Sequence, residues 1–236
     1  MKIGIMQPYF FPYIGYFALI KYTDLFVFFD TPQYISHGWI NRNRILNCDG
    51  EPTYITVPIK KAPRETPINE ININTNMSWK EKIYGQLNVY KKKAPNFNTT
   101  MDFLHDLLDD IETEKLSYLN IYTLKNTCDY LGISREFFTF SEMDLNIEEV
   151  CSPDEWALNI TKAMGIDTYV NPPGGQSFFD REKYEREGIK LEFLQSNLKK
   201  YVQRIGHFEP GLSIIDVMMF CKKDEILDML DDYTIL

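Results

Sequence analysis

Residues able to bind or move charge gather in a few short segments of this 236-residue chain. Asp30 closes the apolar run Leu25 to Phe29, where a carboxylate is costly unless it is solvated or paired. It can orient a sugar hydroxyl, bind a metal, act as base toward an amine, or simply cap the turn that Thr31-Pro32 begins. His37 is the histidine nearest to it in sequence and suits a general base. His105 lies in a helical stretch and His207 in a loop, so neither is a candidate. Gln7, at the end of the first apolar run, can donate to a developing oxyanion together with the free amides of the following helix. With His37 and Asp30 it makes up the candidate catalytic set. Pro8, Tyr9, Gln33, Asn41, Arg42, Arg44, Lys60, Gly174, Gly175 and Gln176 are the candidate substrate contacts. Arg42 and Arg44 share one face of an extended strand, so their planar forks can grip a pyrophosphate, and Lys60 and Lys61 add positive charge beside them. A solvated basic hairpin face is the plainer explanation of the same four cations. The Gly174-Gly175 pair after Pro172-Pro173 permits close backbone approach to a ligand, or is only a tight turn. No GxSxG, Walker, GxGxxG, HExxH or kinase signature is present, which sets those classes aside.

These residues need elements to hold them. Lys2 to Met6 and Leu25 to Phe29 read as buried parallel strands, with a helix between them whose first turn holds Pro12. WINRNRIL and TYITVPI flank Cys48-Asp49-Gly50-Glu51 as a hairpin, and INEININ (68–74) reads as a third antiparallel strand. Helices are expected near 78–93, 100–111 and 115–131, the last stopped by Gly132. Strands follow at 137–140, 168–170 and 190–195, with a helix capped by Ser152 and opened by Pro153. The expected architecture is a single α/β domain over 1–236: a doubly wound parallel sheet of five strands with a β-hairpin and helical insertion at about 36–132. In such sheets ligands bind beyond the carboxyl ends of the strands where their order reverses. That rule brings the loops after Met6, Phe29 and Val170 to one rim.

The charge balance supports an anionic ligand there. The chain is acidic overall, net −9 with a pI near 4.9, which argues against a protein that coats nucleic acid. Residues 1–100 nevertheless carry 12 Lys and Arg against 7 Asp and Glu, and the remainder 13 against 27. A phosphate therefore prefers the N-terminal half, unless the imbalance is only an acidic solubilising surface on the C-terminal helices. Four scattered cysteines form no CxxC or Cys/His spacing, so no zinc knuckle is expected and a reducing cytoplasm fits. The apolar N-terminus is interrupted by Gln7, Pro8 and Pro12 and is read as buried strand and helix, not as a membrane insertion. A 14% aromatic content makes a self-association surface plausible.

MQPYFFPYIGYFALIKYTDLFVFFD, followed by QY, WINRNRI, TVPIKK, PPGGQSFF and LSIIDVMMF, resembles the WbqC-like family over nearly the full chain. Gln7, Pro8, Pro12, Gly15, Asp30, Gln33, Trp39, Asn41, Arg42, Gly174, Gly175 and Asp216 stand at positions matching its motifs. The resemblance implies surface polysaccharide (O-antigen or capsule) biosynthesis and transfer of a glycyl or other acyl group to the amine of a nucleotide-linked amino sugar. The implied partners are that sugar and an activated acyl donor, an aminoacyl-tRNA being the one nucleic-acid form of it. It leaves the cofactor open and assigns no metal ligands. A narrower likeness covers the first strand-helix-strand unit, where Tyr13 and Tyr16 stand in the places of the imidazoles of the HxGH loop of HUP-type (Rossmann-like) nucleotidyltransferases. Phenols cannot carry the imidazolium charge, so adenylyl transfer with Mg²⁺ is the second reading and a non-catalytic binding protein the third.

Overall fold

The computed structural model describes residues 1–203 and 207–236. The first apolar run is strand β1 (Lys2–Met6) and the second is β2 (Leu25–Phe28), joined by helix α1 (Ile14–Tyr22) and paired in parallel from Ile3 with Leu25 to Met6 with Phe28. Gly4 is required in β1 because a side chain there would meet the Phe26 ring at 2.8 Å. Between β2 and the next strand of the same sheet, the chain builds an antiparallel pair, β3 (Arg42–Leu46) with β4 (Pro52–Thr56). Three helices follow: α2 (Trp79–Leu87), α3 (Phe97–Leu108) and α4 (Leu116–Leu131). Gly132, at φ 76°, stops the last of them as expected.

The chain then returns to the sheet as β5 (Glu136–Thr139), α5 (Glu155–Ala163), β6 (Thr168–Asn171), α6 (Arg181–Arg186) and β7 (Lys190–Ser196). It ends with α7 (Ile214–Phe220), α8 (Lys223–Leu230) and β8 (Tyr233–Ile235). The sheet has six strands in the order β5-β2-β1-β6-β7-β8, all pairs parallel except β7 with β8. From β1 the chain moves outward through β2 to β5, then crosses back to β6 on the other side of β1. Strand order therefore reverses between β1 and β6. Alternation along the strands sends Ile3, Ile5, Val27 and Phe193 into an apolar layer with α5 and α6. Phe26, Phe28, Val170 and Leu194 face the opposite layer, which is continuous with α1, α4, α7 and α8.

Several boundaries differ from expectation. INEININ is not a third hairpin strand: Ile68–Glu70 forms a 3-10 turn and the remainder makes only single bridges, Ile59 with Ile73 and Asn72 with Lys115. The buried residues are Ile68, Ile71 and Ile73, and a spacing of three fits one 3-10 turn rather than a pleat. Helix α1 starts at Ile14 with Tyr13 as its cap, so Pro12 precedes it. The stretch expected as one helix over 78–93 ends at Leu87 and tightens into a 3-10 turn, Asn88–Tyr90. Helix α5 begins at Glu155, whose carboxylate accepts from the amides of Cys151 and Ser152, leaving Ser152 and Pro153 outside it. The sixth strand, β8, is too short to have carried a signal.

One buried side chain ties the insertion to the sheet. Asn120, fully buried on α4, donates from its amide nitrogen to the carbonyl of Pro8 at 2.9 Å and to that of Ile40 at 2.7 Å. Removing it leaves two carbonyls without donors in a dry interior. Asn120→Ala is expected to lower unfolding stability by about 3 kcal/mol, measured by urea denaturation; an unchanged midpoint would show that the contact carries no weight.

Candidate functional site

The segment after β1 is rich in carbonyls that no strand or helix can use, and Pro8 and Pro12 bring no N–H of their own. Other parts of the chain come to it. Asn43 of β3 donates to the Phe10 carbonyl at 3.1 Å, the Ser213 hydroxyl to that of Phe11 at 2.8 Å, and the Ile214 amide to that of Pro12 at 2.9 Å. The Tyr16 hydroxyl donates to Gln7 at 3.0 Å, and the Phe10 amide donates to Trp39 at 3.1 Å. Phe11 is held at φ 40°, a left-handed conformation that a bulky residue keeps only when its surroundings over-determine it.

This pinned loop forms one wall of a cleft of about 450 Å³ lined by Met6, Tyr9, Tyr13, Trp39, Asn43, Pro172, Gly174 and Leu198, among others. It opens at the carboxyl ends of β1 and β6, where the strand order reverses. The Tyr13 ring lies across Gly15, where a Cβ would come within 2.4 Å of it, so the glycine of Tyr-Ile-Gly-Tyr makes room for an aromatic wall. Tyr16 is buried behind Tyr9, their ring centres 5.7 Å apart. Burial pushes the phenols of Tyr9, Tyr13 and Tyr16 up, Tyr9 also feeling Tyr13, so all three are neutral donors and acceptors at physiological pH. Among the described residues no charged side chain lines this cleft.

The far wall is held by an acid. Asp216, fully buried on α7, accepts from the hydroxyl of Tyr90 at 2.6 Å, from the hydroxyl of Tyr201, and from the amide of Gln203 at 3.1 Å. Tyr90 in turn accepts from the backbone amide of Leu46, and Gln203 exchanges hydrogen bonds with the backbone of Glu209. The network thereby fixes the strand β3 and the segment carrying Leu198 and Gly211. Asp216, at a position matching the family motifs, thus anchors α7 through hydrogen bonds.

The candidate residues divide between this cleft and other places. Tyr9 and Gly174 line it, while Pro8 is buried behind it, its carbonyl on Asn120. Gly175 packs where a side chain would meet the Asn171 amide at 2.6 Å, and Gln176 is exposed beyond it. Gln7 is half-buried at the end of β1, and its side chain makes no hydrogen bond among the described residues. Asp30, 2% exposed, accepts from both the amide (3.0 Å) and the hydroxyl (2.6 Å) of Ser141, so it joins the end of β2 to the turn after β5. His37 is exposed at a turn with φ 65°, and its ring makes no hydrogen bond or ion pair among the described residues. Asn41 is buried between the Tyr34 hydroxyl and the Val57 carbonyl.

The two arginines do not form an open clamp. Arg42 donates to the carbonyls of His37 and Gly38 and lies 4.1 Å over the Tyr54 ring, while Arg44 pairs with Glu209 at 3.3 Å. Lys60 pairs with Glu114 at 2.6 Å. Gln33 and Lys60 border a second cleft, of about 830 Å³, between the segments 33–36 and 59–64, together with Ser36, Lys61 and Arg64. Sequence reasoning passed over Tyr13 as a site residue because it was weighed only as a missing imidazole. Its spacing to Gly15 was the available signal. Asn43 was legible from strand alternation, whereas Leu198 and Arg64 carry no local mark.

Among the described residues no group of His, Cys, Asp and Glu is arranged to hold a metal ion, and no helix is long and apolar enough to cross a membrane. A family model described as the WbqC-like protein family matches residues 7–227. The uncharacterized protein Rv1507c of Mycobacterium tuberculosis is 29% identical over 219 residues, covering 92% of each chain. No solved structure matches.

The Asp216 network has a pH signature. Burial raises its carboxyl above the ordinary range despite three donors, so its contribution is fully present below the unfolded carboxylate range and is lost as pH rises through the folded value. The stability advantage of the wild type over Asp216→Asn is therefore expected to shrink from acid toward neutral pH in denaturant titrations. A constant difference would mean that Asp216 keeps one charge state throughout.

Proposed function

The chain belongs to the WbqC-like protein family, and on that premise we propose that it transfers an acyl or aminoacyl group to the amine of a nucleotide-linked amino sugar in surface polysaccharide assembly. The observation that carries this reading is the uncharged aromatic cleft at the strand-order reversal. A pyranose presents apolar C–H faces to the rings of Tyr9, Tyr13 and Trp39, while the neutral phenols and the Asn43 amide exchange hydrogen bonds with its hydroxyls. Trp39, 40% exposed, is at the mouth, where a ligand covers it on entry.

In the proposed reaction, the lone pair of the sugar amine attacks the carbonyl carbon of an activated donor, a thioester or an ester. The C–N bond forms, the bond to the thiolate or alkoxide leaving group breaks, and the ammonium proton leaves. His37 takes that proton, because both oxygens of Asp30 are already occupied by Ser141 whereas the imidazole is free among the described residues. The Gln7 amide donates to the oxyanion of the tetrahedral intermediate. The leaving group recovers the proton from His37 or from water, so no external oxidant, reductant or metal is consumed.

The finer kinship, to HUP-type nucleotide-binding folds, belongs to the same proposal. The order β5-β2-β1-β6-β7 and the placement of Tyr13-Ile14-Gly15-Tyr16 support it. The same placement favours adenylyl transfer as a second reading, but Tyr16 is buried with its hydroxyl on Gln7, and the cleft offers no positive charge to a reacting phosphate.

The test is an incubation of the purified protein with nucleotide-linked amino sugars and thioester or aminoacyl donors, read by mass spectrometry for the N-acyl product. Trp39→Ala is expected to lower kcat/KM about tenfold through weaker sugar binding. His37→Gln is expected to lower kcat about tenfold with KM little changed. Pyrophosphate release from a nucleoside triphosphate with Mg²⁺, without any N-acyl product, would replace acyl transfer by the second reading.

A further inference from the structure

The aromatic cleft contains no cation, yet the substrates it suits carry phosphates. The arginines expected to hold them are occupied, Arg42 by backbone carbonyls and a tyrosine ring and Arg44 by Glu209. We propose that the second cleft, between the segments 33–36 and 59–64, is the phosphate subsite of this protein, built to take a pyrophosphate or phosphate ester of a small-molecule substrate.

Charge is the first argument. In a chain of net −9, this cleft is bordered by Lys60, Lys61 and Arg64 and, among the described residues, by no acidic one. Lys60 is neutralised by Glu114, but Lys61 and Arg64 form no ion pair or side-chain hydrogen bond among the described residues. Two uncompensated cations facing a common concavity raise the local concentration of anions, and a guanidinium adds a fork suited to phosphate oxygens. The Ser36 hydroxyl adds a neutral donor.

The frame is also fixed before any ligand arrives. The Gln33 side chain donates to the Arg64 carbonyl at 2.8 Å, the Tyr34 amide to Thr66 at 2.9 Å, and the Lys60 amide to Asn72 at 2.8 Å, while Gln33 and Pro67 form a bridge. These bonds tie the two cleft walls together, so little ordering remains for binding to supply. Gln33 thereby has a structural reason to be there: it sets the backbone from which Arg64 projects.

Position completes the case. Residues 33–36 line the basic cleft and Trp39 and Asn43 line the aromatic one, so a single short segment borders both. A substrate with an apolar ring system at one end and a phosphate at the other can span that segment. The same chemistry is found in the diphosphate of a nucleotide-linked sugar and in the phosphates of a coenzyme A thioester. At about 830 Å³ the cleft has room for either headgroup.

The test is isothermal titration of the full chain with inorganic pyrophosphate, uridine diphosphate and coenzyme A at low and moderate salt. Binding that weakens as salt rises is expected, with Lys61→Glu/Arg64→Glu reducing affinity at least about tenfold. Lys61→Gln/Arg64→Gln should give a smaller loss in the same direction, and Lys92→Glu, an exposed charge outside both clefts, should leave affinity unchanged. Preference for uridine diphosphate assigns the subsite to the acceptor and preference for coenzyme A to the donor. Absence of pyrophosphate binding by the wild type, or equal binding by the double variants with unchanged thermal melts, would overturn the proposal. Trp39→Ala should leave pyrophosphate binding intact, so the subsite stands or falls apart from the acyl-transfer reading.

Discussion

The loop between β1 and α1 must bury a row of backbone carbonyls at the point where the sheet reverses its order, and the rest of the molecule is arranged to satisfy them. The carbonyls of residues 7 to 12 pair neither within the strand nor within the helix, and an unpaired buried carbonyl costs as much as a lost hydrogen bond. Their donors come from four distant places: Asn120 on α4, Asn43 on β3, the Ser213-Ile214 pair opening α7, and Tyr16 on α1. The insertion and the C-terminal helices are thus bound to the sheet through the same loop that walls the aromatic cleft. Phe11 at φ 40° shows where that bracing holds the chain against its local preference.

The same bracing separates two chemistries. The cleft at the strand reversal is aromatic and uncharged, its phenols kept neutral by burial. Of the cations expected at this rim, Arg42 and Arg44 are consumed in holding backbone carbonyls and a carboxylate, and Lys60 and Lys61 border a different cleft. A cation among three tightly packed tyrosines would have to shed its hydration with no carboxylate to compensate it, so charge collects where loops leave it solvated. Asp216 is an acid drawn wholly into the interior. It stays because three donors meet it, and its removal from water still raises its carboxyl.

Much of the frame was legible from local pattern. The parallel strands β1, β2, β6 and β7, the hairpin β3-β4, helix α4 with its glycine stop, and the rim after the first and sixth strands follow from apolar runs and turn residues. Where two signals competed, pattern misled. INEININ looked alternating, but Ile68 and Ile71 are three apart, which fits a 3-10 turn, and only Ile71 and Ile73 keep the spacing of a strand. Ser152-Pro153 looked like a helix start, but the reach of Glu155 back to two amides places the start later. Of the candidate site, Tyr9 and Gly174 reach the aromatic cleft and Gln33 and Lys60 the basic one, while Asp30 and Arg44 are taken up by partners far off in sequence and Arg42 by the carbonyls of the turn just before it.

By itself the sequence determined where the main parallel strands lie, that an N-terminal loop with two prolines and flanking aromatics closes the first strand, and that the net charge of residues 1–100 is positive. Those are consequences of hydrophobic period, backbone sterics and composition, all of them local. Only the tertiary structure decided which polar groups stay free. Asp30 and Ser141, Arg44 and Glu209, and Lys60 and Glu114 meet across separations that no spacing rule spans. A charged side chain takes its role from what lies within hydrogen-bond distance, and that neighbourhood exists only once the chain has folded.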